Sequence, residues 1–140
     1  MKAEIEATVK LWVDHIVGGT QDMGEGFCNG LATMLKNLQK PLTDEQVALF
    51  EQKLTELLTA KCLEYWNEED PDFGMYGRDL SVDYGMCLEL QEATKFAGIN
   101  EAFVPIKSST QTCPGYVYYA FGYSAKKQKL LVTNQLMTNG

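Results

Sequence analysis

Leu42-Thr43-Asp44-Glu45-Gln46-Val47-Ala48-Leu49-Phe50 opens the stretch whose reading decides the fold. Thr43-Asp44-Glu45-Gln46 is a capping box: the threonine hydroxyl can take the backbone N–H of Gln46, and the Gln46 side chain can reach back. Leu42 and Val47 flank it at the spacing of a hydrophobic staple. Val47, Phe50, Leu54, Leu57, Leu58, Lys61 and Cys62 then recur at helical spacing, apolar at every position but Lys61. The pattern predicts a long helix from Thr43 or Asp44 to Tyr65-Trp66, buried along that face.

Upstream, Ile5, Val9, Trp12, Val13 and Ile16 mark a helix over residues 2–17, stopped by Gly18-Gly19. Residues 20–30 are glycine-rich, but no Lys-Ser/Thr follows and no strand precedes, so they do not read as a phosphate loop. A further helix is expected over about 27–38, with Leu31, Met34, Leu35 and Leu38 inward and Pro41 ending it. Downstream, Asp79-Leu80-Ser81-Val82-Asp83-Tyr84 alternates as a half-buried strand does. A helix over 86–97, carrying Leu88, Leu90, Ala93, Phe96 and Ala97, closes at Gly98. Strands follow at 107–112, 116–123 and 128–133, joined by a Pro114-Gly115 turn and a Ser124–Lys127 turn. Helices first and strands afterwards predict an α+β fold, with N-terminal helices packed on a small, mostly antiparallel sheet. The length fits one domain over 1–140: a helical half (1–66), a sheet-containing half (67–133) and a tail (134–140).

Chemistry-bearing residues are scarce. Arg78 and His15 are the single arginine and histidine, beside nineteen acids and a net charge of −7. His titrates near neutral pH and Arg grips anions bidentately, so a chain nearly without both is not expected to be an enzyme. No catalytic residue, metal ligand set or cofactor is predicted. His15 has no paired nucleophile. Glu68, Glu69, Asp70 and Asp72 read as a solvated loop, because the register of a calcium loop is missing; an acid–base pair among them is the alternative. The negative charge argues against direct nucleic-acid binding, and no apolar run is long enough to span a membrane. Cys28, Cys62, Cys87 and Cys113 show no C-x-x-C spacing, and Cys62 and Cys87 sit in apolar stretches, which suits a reducing cytoplasm.

What is left points to binding. Tyr76, Tyr116, Tyr118, Tyr119 and Tyr123 crowd the C-terminal half. Strand alternation sends Tyr118 and Tyr119 to opposite faces, so one can be exposed, and exposed tyrosines favour protein interfaces. Arg78, beside Asp79 in a glycine-bounded loop, is either half of a local ion pair or an anchor for an external anion. Lys126-Lys127-x-Lys129 falls at a hairpin tip, where lysines protect a sheet edge.

Taken whole, the chain resembles the BTG/Tob anti-proliferative family. Met1-Lys2-Ala3-Glu4-Ile5-Glu6 is similar to that family's first helix. Phe50, Leu54, Leu57, Trp66, Pro71 and Gly74 match its second helix and the turn beyond. Arg78 falls at the family's arginine, and Gly98-Ile99, Pro114, Val117 and Gly122 continue the match, with some twenty extra residues around 20–41. The resemblance implies a protein-docking scaffold. The family binds a cytoplasmic deadenylase through an aromatic just before the arginine and a tryptophan shortly before the matched proline; here Gly77 and Gln111 stand there. The stretch from Asp83 to Ala125 also looks like small phage-encoded proteins of unassigned role. The expected function is therefore a non-catalytic module that docks a protein partner through the 67–79 loop and the C-terminal hairpin, using Tyr76, Arg78, Gln111, Tyr118 and Tyr119. The alternative is a phage- or mobile-element-encoded inhibitor of host defence, acting as an acidic mimic of nucleic acid or a sponge for a nucleotide signal.

Overall fold

The structure, a computed structural model, describes residues 1–18 and 42–132. The helix expected near 27–38, Cys28 and the tail from 134 lie outside the described residues.

The capping box at Thr43 starts the fold's longest described helix. The Thr43 hydroxyl accepts the Gln46 N–H at 3.1 Å, and Gln46 Oε1 accepts the Thr43 N–H at 3.0 Å. The first helix, α1, runs Lys2–Gly18, and the capped helix, α2, runs Asp44–Tyr65. A 3₁₀ turn over Met75–Arg78 leads into strand β1, Asp79–Val82. Helix α3 spans Leu88–Ala97 and ends on Gly98, whose φ of 69° is left-handed. Strands β2 (Ser108–Cys113), β3 (Tyr116–Phe121) and β4 (Gln128–Leu131) complete an antiparallel sheet in the order β1-β2-β3-β4. Gly115 turns β2 into β3 at φ 88°, as a Pro-Gly turn requires. The architecture is the expected α+β arrangement.

Helical spacing holds for the core. Ile5, Val9, Trp12 and Ile16 of α1 join Phe50, Leu54, Leu58 and Cys62 of α2, Leu80 and Val82 of β1, and Leu90 and Ala93 of α3. Lys61, the polar exception on the α2 face, reaches past the apolar row: its ammonium donates to Asp79 O at 2.6 Å and to Glu89 Oε1 at 3.2 Å, tying α2, β1 and α3 together. Gln46 Nε2 adds a second tie, donating to Gly98 O at 2.9 Å.

Several boundaries differ from the sequence reading. Strand β1 stops at Val82, because Cys87 N donates back to Ser81 O and folds the chain over, leaving Tyr84 98% exposed. Helix α3 begins two residues later than expected, and its Leu88 and Phe96 are exposed, since the face toward α2 takes Leu90, Ala93, Thr94 and Ala97. Leu57 is half-buried, off the α2 stripe centred on Leu54 and Leu58. Strand β3 ends at Phe121, before Gly122 at φ 103°.

Helix α1 lies on the sheet through polar as well as apolar contacts. Trp12 Nε1 donates to Thr110 Oγ1 at 3.0 Å, the Thr8 and Thr112 hydroxyls meet at 2.7 Å, and Phe121 sets its ring edge-on to Trp12. His15 stacks on Phe121 at 3.8 Å and donates Nδ1–H to Leu11 O. At the N-terminal end, Glu4 Oε2 accepts the Gly115 N–H at 2.9 Å and Oε1 pairs with the Met1 amino group at 3.0 Å. Burial works to raise the Glu4 carboxyl, but the Gly115 hydrogen bond and the amino terminus outweigh it, and the pKa is lowered.

Two outcomes follow for stability. Leu54→Ala and Leu58→Ala should each cost about 2–5 kcal/mol in urea unfolding, and Leu57→Ala clearly less. Because the folded Glu4 pKa is depressed, its contribution is fully present above the unfolded carboxyl value of about 4.3 and is lost as pH falls through the folded value. The urea midpoint of Glu4→Gln should therefore lie below the parent at pH 7, with the gap closing as the solution is acidified through that window.

Candidate protein-docking surface

Strand register sorts the sheet's side chains into two faces. Leu80 and Val82 of β1, Thr110 and Thr112 of β2, and Val117 and Phe121 of β3 point toward α1 and the core. The opposite row runs across all four strands: Asp79 pairs with Gln111, Gln111 with Tyr118, and Tyr118 with Lys129. The next row is Cys113, Tyr116 and Leu131. No described helix covers this outer face; the 67–78 loop leans over one end of it.

That loop is held by Arg78, the one arginine. Arg78 is 0% exposed. Its Nε donates to Thr112 O in β2, Nη1 to Tyr65 O at the end of α2 and to Phe73 O at 3.1 Å, and Nη2 to Pro71 O at 2.9 Å and to Cys113 Sγ at 3.7 Å. The Trp66 ring lies 5.6 Å from the guanidinium carbon. Neither a local ion pair nor an anchor for an external anion describes these contacts: the guanidinium faces backbone carbonyls, not Asp79 and not solvent. Tyr65 O belongs to the last turn of α2, whose carbonyls lack intrahelical partners and carry the negative end of the helix dipole, so a cation is well placed there. Gly74, at φ 73°, brings the loop backbone against Tyr65 O and Arg78 Nη1.

Gly77 stands where the resemblance implies an aromatic. A Cβ there would lie 2.7 Å from the Tyr65 ring, so Tyr65 covers the place that an aromatic holds in the resemblance. Gln111 is 4% exposed and donates Nε2–H to Asp79 Oδ1; its Oε1 is buried with no hydrogen-bond partner among the described residues.

The exposed part of the face is aromatic and cationic. Tyr76 is 72% exposed and Leu131 65%. Lys129 Nζ sits 4.0 Å from the centre of the Tyr116 ring and 5.5 Å from that of Tyr118, and Lys127 Nζ sits 4.6 Å from Tyr118 and 5.7 Å from Tyr76. The Tyr116 and Tyr118 rings meet edge to face at 5.2 Å. Tyr116 donates its hydroxyl to Asp72 Oδ1; burial first, and this hydrogen bond second, push its pKa well up, so it stays a donor. Of the five expected binding residues, Tyr76 and Tyr118 share this surface, Gln111 and Arg78 lie beneath it, and Tyr119 lies on the α1 side, donating to Gln128 Oε1 at 3.2 Å. Sequence reasoning missed Tyr116, Lys127, Lys129 and Asp72. Strand alternation with the 118–129 pairing would have found the first three; the Asp72 contact depends on how the loop folds.

Other chemistry finds little to build on. Among the described residues no three His, Cys, Asp or Glu side chains gather as a metal site, and no helix is long and apolar enough to cross a membrane. Burial raises the thiols of Cys62, Cys87 and Cys113, Cys62 to about 12 against the pull of Arg78, so they remain thiols rather than nucleophilic thiolates. A polar groove lined by Gln91, Thr94, Lys95, Ile99, Asn100 and Glu101 lies elsewhere, at the end of α3, and holds none of the expected residues.

Arg78→Lys should be costly, because an ammonium cannot serve carbonyls from α2, the loop and β2 in one plane. The expected loss is at least about 3 kcal/mol in chemical denaturation, with the Tyr76 and Tyr116 ring resonances shifted in NMR spectra of the folded fraction.

With this geometry in place, comparisons with known proteins are informative. The sequence profile of the BTG family matches residues 25–130. The BTG/Tob domain of C. elegans FOG-3 is similar in fold, with a TM-score of 0.64 and 13% identity over 100% of this chain and 88% of that one. No curated protein matches by sequence.

Proposed function

The chain belongs to the BTG family, and from that membership we propose that it is a non-catalytic protein-binding module docking its partner through the 67–79 loop and the C-terminal hairpin. The family is one of protein-interaction domains. The observation that carries the reading is the outer sheet face, uncovered by any described helix, on which Tyr76, Tyr116, Tyr118 and Leu131 are brought together from the loop and the β3–β4 hairpin. Tyrosines present a wide apolar ring with a polar tip, and such side chains concentrate binding energy at interfaces. Arg78 and Gln111 act from below, fixing the loop and the β1–β2 pairing that set the surface. Tyr119 takes no part on this face.

Gly77 and Gln111, where the family's deadenylase contacts stand, support a different partner. An acidic decoy of nucleic acid would present carboxylates; this face presents lysines. The free thiols of Cys62, Cys87 and Cys113 suit the cytoplasm, where we place the protein.

A photo-crosslinking residue placed at 118 in the full chain, expressed in its native cell, should trap a protein partner, and the same residue at 119 should not. Tyr76→Ala and Tyr118→Ala should each weaken the recovered complex by about tenfold or more. Trapping from 119 alone, or from neither position, would remove the outer face as the docking surface.

A further inference from the structure

We infer that the outer face reads acidic side chains: Tyr116, Lys129, Tyr118, Lys127 and Tyr76 alternate ring and ammonium across the sheet to form a seat for a carboxylate-rich segment of the partner protein. This rests on the protein-docking reading of the same face and names the chemistry it selects.

Charge complementarity selects this occupant. The chain carries −7, yet two lysines stand on this one face with no carboxylate in ion-pair distance among the described residues. Lys10, Lys53, Lys61 and Lys107 have such partners, while Lys2, Lys95 and Lys126, like these two, have none among the described residues; only Lys127 and Lys129 lie over tyrosine rings of this face. Asp72 accepts from the Tyr116 hydroxyl and Asp79 from Gln111, and none of the loop acids Glu68, Glu69 and Asp70 forms an ion pair with either lysine. The tyrosine rings hold the two ammoniums without neutralising them, since a ring quadrupole attracts a cation but leaves its charge. Lysines ordered this way lose less freedom when a carboxylate arrives than free ones would.

The same geometry disfavours single-stranded nucleic acid, which uses lysines and aromatics differently. Bases stack on open ring faces. Here the ammoniums lie 4.0 Å and 4.6 Å over the Tyr116 and Tyr118 rings, and those two rings lie edge to face. What a partner meets first is the charge.

The test titrates the labelled full chain, by NMR, with a peptide of alternating glutamate and leucine. A matched lysine–leucine peptide and a single-stranded oligouridylate serve as comparisons. The glutamate peptide should shift resonances of residues 116–118 and 127–129. Its affinity should fall about tenfold in a Lys127→Ala, Lys129→Ala double variant and return with arginine at both positions. It should also weaken as salt rises. No shift with the glutamate peptide, equal affinity in the alanine variant, tighter oligouridylate binding through the same lysines, or self-association mapping to these residues would each overturn the inference. The cross-linking partner separates this failure from that of the docking surface. A complex lost in Tyr118→Ala but intact in the lysine double variant leaves the docking face standing and removes acid recognition.

Discussion

The guanidinium of Arg78 is the constraint on which the arrangement turns. A buried cation without a carboxylate is costly unless dipoles surround it. Here four backbone carbonyls do so, drawn from the end of α2, the 71–73 loop and β2. The Thr112 contact is buried and the other three are part-buried, so cation and carbonyls offset part of one another's desolvation. The consequence is geometric. Helix α2 and strand β2 are distant in sequence, and the loop between α2 and β1 would be free to swing. One planar group fixes all three, and with them the position of Tyr76 at the rim of the sheet.

The other side of the sheet shows the same economy with neutral groups. Strand β2 buries threonines where an apolar row is usual, and α1 answers with Thr8 and Trp12. Threonine is a good strand former, and its hydroxyl needs a partner once buried. Both threonine hydroxyls have one from α1. A purely apolar α1 would strand them, so pairing of this helix with this strand is more specific than burial alone dictates.

Much of the fold was legible because its signals are local. The capping box at Thr43, the 3.6-residue rows of α1 and α2, the Gly98 stop and the Pro114-Gly115 turn all act within a few residues. Leu57 was misplaced, and the exposure of Leu88 and Phe96 was not legible, because periodicity gives the apolar stripe but not which edge of it meets a neighbour. Lys61 could be seen as an exception but not explained, since its acceptors lie in β1 and α3. The surface was half legible. Alternation separates Tyr118 from Tyr119, yet which of them lies on the α1 side depends on where α1 packs; both are half-buried. Arg78 was beyond local reading altogether: a lone arginine beside an aspartate suggests an ion pair, and only the tertiary fold reveals the carbonyls.

Gly77 and Tyr65 set the edge of the surface next to the loop. Two aromatic rings cannot share the space over residue 77, and here the ring comes from the helix, so residue 77 must lack a side chain. Gln111, where the resemblance implies a tryptophan, is a buried amide that pairs with Tyr118 across the sheet. Neither residue is a partner of the guanidinium, which is held by four backbone carbonyls, Cys113 Sγ and the Trp66 ring. The aromatic contribution to the surface comes from Tyr116 and Tyr118, where strand pairing sets Lys129 beside both rings. A scaffold fixed through backbone carbonyls is free to exchange what it displays, which is how one frame can serve partners of different chemistry.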